Sequence, residues 1–142
     1  MNRSTNEIID IVNNFVPFSE NDIENDNVDF LYQLTDELLT NADASEAIRS
    51  LFLLLEKYPD EDFGSPGPIV HTLEKFGIKY EPELFDSLKR KPTLLTIWML
   101  NRIINVANDE STRDKLITKM REILVHELVR DVEIEEAENF LK

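Results

Sequence analysis

Few side chains in this chain could do chemistry. There are two histidines, His71 and His126, and no cysteine. His71 and Glu74 stand three residues apart, a spacing that puts an imidazole and a carboxylate on one face of a helix and makes half of a metal site. A zinc ion needs three or four ligands, and the plainer reading leaves His71 as a polar surface residue near a helix start. His126 has no partner at ligand spacing. Asp60, Glu61 and Asp62 form a carboxylate triplet that could attract Mg²⁺ or Ca²⁺, but the spacing matches no EF-hand loop. Without cysteine there is no thiol nucleophile, thiolate zinc site or disulfide. The sequence also lacks a serine elbow and a phosphate-binding glycine loop. These residues point to binding instead of catalysis: not an enzyme, with no metal, no cofactor and no small-molecule substrate expected.

Charge indicates what is bound. The formal net charge is −14, and it is unevenly placed. Residues 1–66 hold 15 Asp and Glu against 3 Lys and Arg, whereas residues 67–142 hold 14 against 12. The densest run is SENDIENDNVD, Ser19 to Asp29, with Glu20, Asp22, Glu24 and Asp26. Such a surface repels a phosphate backbone and attracts a basic protein. Nucleic acid is therefore not expected as a partner. Acidity that only keeps the protein soluble is the bland alternative, and both readings stand on charge alone. If a basic partner is bound, Glu20, Asp22, Glu24, Asp26, Asp60, Glu61 and Asp62 are the expected contacts.

A second candidate surface lies on the most apolar segment, TLLTIWMLNRIINVA, Thr93 to Ala107. At about 100° per residue, Leu95, Ile97, Met99, Leu100, Ile103 and Ile104 fall on one broad side, with Trp98, Asn101, Arg102 and Asn105 opposite. Trp and Arg are enriched at interface hot spots, which makes Trp98, Asn101 and Arg102 a candidate stripe. Alternatively Trp98 packs under a neighbouring helix with its indole N–H bonded. On an earlier helix Ile69, Leu73 and Phe76 face inward, and His71, Glu74 and Lys75 outward. If both helices line one side of an arc, His71 and the Trp98 stripe form one patch.

The elements that position these residues are all helical. Ser4 with Glu7 makes a capping box for a helix from about Thr5 to Phe15, stopped by Pro17. The acidic run reads as a solvated loop before a second helix, from Phe30 to Leu39. Asp43 or Ser45 caps a third, whose Ala47, Ile48, Leu51, Phe52, Leu54 and Leu55 form a wide apolar surface closed by Pro59. Tyr58 to Phe76 then holds three of the six prolines and two of the three glycines, which predicts a rigid turn. Pro68 opens a fourth helix, Gly77 ends it, and Pro82 and Pro92 open a fifth and a sixth. Asp109 or Ser111 caps a seventh, expected to bury Leu116, Ile117, Met120, Ile123, Leu124, Val125 and Leu128, and an eighth runs from Glu133 to Leu141. No period-2 alternation and no Asn-Gly or Asp-Gly turn occurs, so the fold class is all-α.

At 142 residues the expectation is a single domain, 1–142, of seven to eight antiparallel helices. Short proline-punctuated connections favour a HEAT-like α-solenoid, with an orthogonal helical bundle as the alternative; no fixed repeat is visible. The opening residues lack the apolar core of a signal peptide. The longest apolar run, Leu51 to Leu55, is far short of the roughly 20 residues that span a bilayer. A soluble, cytoplasmic protein with no membrane partner is expected.

The segments GSPGPIVHTLE, Gly64 to Glu74, and YEPELFDSLKRKPTLLTIWMLNRIIN, Tyr80 to Asn105, resemble small all-helical bacterial immunity proteins of contact-dependent inhibition and other polymorphic toxin systems. The likeness covers about the central third of the chain and rests on Gly-x-Pro-Gly-Pro followed by His, and on Trp-x-x-Asn-Arg. It implies a cytoplasmic antitoxin whose partner is a cognate toxin domain, often a basic nuclease, with His71 and the Trp98 stripe shaping or anchoring the contact. An adaptor or scaffold with another protein partner is the other reading.

Overall fold

Side-chain caps and prolines set most of the helix boundaries. The computed structural model describes residues 2–142, and among them are eight α-helices, two 3-10 turns and no strand. The first helix, α1, spans Thr5–Asn13. Ser4 Oγ accepts from the Glu7 N–H while the Glu7 carboxylate takes the Ser4 N–H, the predicted capping box. Asn14 ends α1 earlier than Phe15, its side chain donating to the Asp10 carbonyl. α2 spans Asn27–Leu38 and starts ahead of Phe30, because the Asp26 carboxylate caps it by accepting from the Val28 N–H at 2.8 Å.

A 3-10 turn, Ala44–Ala47, leads into α3, Ile48–Lys57. As its wide apolar surface predicts, α3 buries Ile48, Leu51, Phe52, Leu54 and Leu55. α4, Gly67–Lys75, has Pro68 in its first turn, and Gly77 takes φ 61° just past its end. α5 is Glu81–Arg90 and α6 is Leu94–Val106. Pro92 does not occupy the first position of α6. Thr93 is its N-cap, hydrogen-bonded to the buried Thr96 in a capping box that uses threonine in place of glutamate.

α7 is Glu110–Ile123, capped by Asp109, not Ser111, through the Thr112 N–H at 2.8 Å. That bond holds the Asp109 carboxyl below its ordinary value. Leu116, Met120 and Ile123 are buried as expected. Val125 and Leu128 are not, at 85% and 55% exposed, because the helix stops before its period reaches them. α8, Asp131–Phe140, begins two residues before the predicted start, where Glu133 reaches back to the Arg130 N–H at 2.9 Å.

The chain divides into two compact units, one up to Glu83 and one from Leu84 onward. In the first, α1 packs on α3 and α2 on α4, while α1 also meets α2 and α3 meets α4, giving two stacked helix pairs. Ile8, Leu31, Leu34, Leu38, Leu51, Phe52, Ile69 and Leu73 are all but sealed from water there. In the second unit α6 meets α7 and α8, which also meet each other. Its core draws on Ile97, Met99, Leu100, Met120 and Ala137, each 0% exposed. No helix among the described residues is long and apolar enough to cross a membrane.

Candidate functional site: an acidic groove

Four phenylalanines build the support for the acidic run. The Phe15 ring stacks on Phe30 at 5.5 Å and meets Phe18 and Phe63 edge-on at 6.0 and 6.1 Å. Phe18 also meets Phe30 edge-on at 5.5 Å. Aromatic pairs in these geometries are favourable beyond the area they bury. They draw the start of the acidic loop, the first turn of α2 and the segment after α3 to one place. The Tyr58 hydroxyl strengthens this by donating to the Phe15 carbonyl at 3.0 Å.

Polar side chains then close the loop. The Phe18 N–H donates to Asn27 Oδ1 at 2.8 Å, joining the two ends of the acidic run. The Asp22 carboxylate accepts from the Glu24 N–H at 2.9 Å and the Asn25 N–H at 3.0 Å. These bonds, the Glu24 N–H first, hold its carboxyl below the ordinary range. Asp22 is thus half-buried and shapes the loop, and Asp26 caps α2, while Glu20 and Glu24 are exposed. Between them Ile23 is 99% exposed.

The second wall comes from the turn predicted to be rigid. The Gly64 N–H donates to Asp62 Oδ1 at 2.9 Å, Gly64 and Gly67 have φ of 108° and 84°, and the Ser65–Pro66 peptide is cis. Phe63, 1% exposed, anchors the segment. Asp60, Glu61 and Asp62 are held exposed just before it.

Together the two segments line a groove of about 830 Å³. Glu20, Asp22, Glu24 and Asp26 line it with Asp29, and so do Asp60, Glu61 and Asp62, with no Lys or Arg among the lining residues. All seven predicted carboxylates therefore share one surface. Among the described residues no three His, Asp or Glu converge as a metal-ion cage. Carboxylates spread along a groove instead produce a broad negative potential that favours a basic ligand.

His71 is exposed on α4, outside the groove lining, with Nδ1 3.1 Å from the Tyr32 hydroxyl of α2. Glu74, on the same helix, is half-buried. The Trp98 stripe belongs to the second unit and His71 to the first. Trp98 and Asn101 are half-buried and Arg102 is exposed, its guanidinium over the indole at 4.7 Å. Asp29, Ile23, Phe18 and Phe30 are groove residues absent from the expected contacts. A phenylalanine on each flank of the acidic run was the signal for them. The chain matches no protein-family model, no curated protein and no solved structure.

Proposed function

We propose that the protein is an immunity protein, an antitoxin that binds a cognate, basic, nuclease-type toxin domain through the acidic groove and blocks it without chemistry. The observation that supports this is the meeting of two carboxylate clusters, distant in sequence, in one groove without a basic residue. A nuclease grips phosphates with Lys and Arg, and the same side chains are attracted to a wall of carboxylates. Long-range attraction raises the association rate more than the final affinity. The exposed Ile23, with Phe18 and Phe30 in the lining, supplies apolar area beside the charge.

The test uses the carboxy-terminal domain of the protein encoded immediately upstream. It should be inhibited stoichiometrically by this protein. The charge-reversal pair Glu24→Lys and Glu61→Lys should slow association about tenfold at low salt, with a smaller effect at high salt. A toxin domain that stays fully active in the presence of excess protein rejects the proposal in favour of an adaptor role. An association rate insensitive to both charge reversal and salt rejects the groove as the contact.

A further inference from the structure

A separate device sits in the second unit, around His126. Its ring bridges two pieces of chain: Nε2 lies 2.6 Å from the Lys89 carbonyl at the end of α5, and Nδ1 lies 2.9 Å from the Leu128 N–H in the α7–α8 connection. The partners dictate the tautomer. A carbonyl only accepts, so Nε2 carries the proton; an amide N–H only donates, so Nδ1 offers its lone pair. The neutral ring is therefore satisfied at both nitrogens.

A second proton would have to go to Nδ1, which would place an N–H against the Leu128 N–H. Two donors cannot share that bond. The bond to Lys89 survives, since an imidazolium N–H donates to a carbonyl at least as well. The same hollow is lined by Lys89 from α5 and by Lys119 and Glu122 from α7, with Lys119 Nζ over the Phe85 ring at 4.5 Å. Glu127 adjoins the ring in sequence.

We infer that His126 is a proton-sensitive clasp within the α7–α8 connection: neutral, its ring holds the Lys89 carbonyl and the Leu128 N–H together; protonated, it keeps Lys89 and releases Leu128. Leu128 is already 55% exposed and stands three residues before the start of α8. Acidification thus frees the Leu128 amide ahead of α8 while His126 stays bound to the end of α5. The device is independent of the acidic groove.

Nuclear magnetic resonance on the whole protein tests it, following the His126 ring and the Leu128 amide together across about pH 5 to 8, where imidazole chemistry operates. The Leu128 protection factor should fall roughly fivefold, the scale of one hydrogen bond, with the same midpoint as the His126 ring. The Ile97 amide in α6 should not change. In His126→Gln, which gains no proton, Leu128 protection should be the same at both ends of the range. Leu128 protection that is constant through the ring titration overturns the clasp, as does a midpoint that follows His71, or a ring that stays neutral until the protein unfolds. Should His126→Gln fail to fold, the wild-type spectra alone decide, because ring and amide are read in one sample.

Discussion

Gly64 and Gly77 both occupy positive φ, at 108° and 61°, yet their surroundings differ. A Cβ on Gly64 would lie 2.4 Å from the Gly67 Cα, a backbone atom with little room to yield, whereas one on Gly77 would meet nothing within 4 Å. Gly77→Ala should cost about 1 kcal/mol, for the left-handed conformation alone. Gly64→Ala adds a clash to that strain and should cost about 3 kcal/mol. Urea denaturation of the two variants checks this, and equal losses would show that the turn relaxes. The same substitution should weaken the groove, since Gly64 holds Asp62 in place through its N–H. At this scale the sequence was legible in part. Proline and glycine density announced a rigid turn, while the close approach of Gly64 to Gly67 depends on backbone geometry that residue identity alone does not specify.

At the scale of elements, Arg3 and Thr5 tie the start of α1 to α2 and to the residues ahead of the 3-10 turn. The Arg3 guanidinium and backbone N–H both donate to the Glu37 carboxylate, with Nη2 to Oε2 at 2.8 Å. Thr5 donates to Asp43 at 2.6 Å, and Asn41 Nδ2 donates to the Arg3 carbonyl at 3.1 Å. The Arg3 side chain above all pulls the Glu37 carboxyl from 4.5 down to about 2. A carboxyl whose folded pKa is lowered stabilises the fold above its unfolded value and loses that contribution as pH falls toward the folded one. Glu37→Gln should therefore melt below wild type near neutral pH, with the gap closing between pH 4.5 and about 2. Thermal unfolding at several pH values measures it; a gap that does not change with pH would mean that packing, not charge, carries the interaction.

Element boundaries show where local patterns succeed. The cap at Ser4, Pro68 in the first turn of α4 and Gly77 past its end are short-range chemistry, and the predicted boundaries there agree with the structure. The end of α7 was missed because Val125 and Leu128 continue the apolar period in sequence, while Leu124 to Val129 fold into successive turns. The start of α2 was missed because Asp26 reads equally as one more surface carboxylate and as a cap.

At the scale of the whole molecule, charge asymmetry is the main physical fact, with 15 acidic against 3 basic residues before Gly67. Crowded like charges repel, and raising salt from about 0.01 M to 0.15 M shortens the screening length from about 30 Å to 8 Å. The melting temperature should rise by about 4 °C over that range, on the scale of 1 kcal/mol for a domain of this size. A melting temperature that falls with salt would indicate that ion pairs such as Arg3 with Glu37 outweigh the repulsion.

The sequence by itself determined the all-helical class, most helix starts, and the concentration of carboxylates in Ser19 to Asp29 and Asp60 to Asp62. Helix period, capping and charge are properties of neighbouring residues, and they are written in a short window. Only the tertiary structure decided that these two clusters line one groove, that His71 lies outside it, and that His126 bridges α5 to the α7–α8 connection. Each depends on a contact between segments far apart in the chain, here Phe15 with Phe63 and Lys89 with His126. Such contacts follow from how apolar faces pack and turns close, and neither is set by the local pattern of the residues that meet.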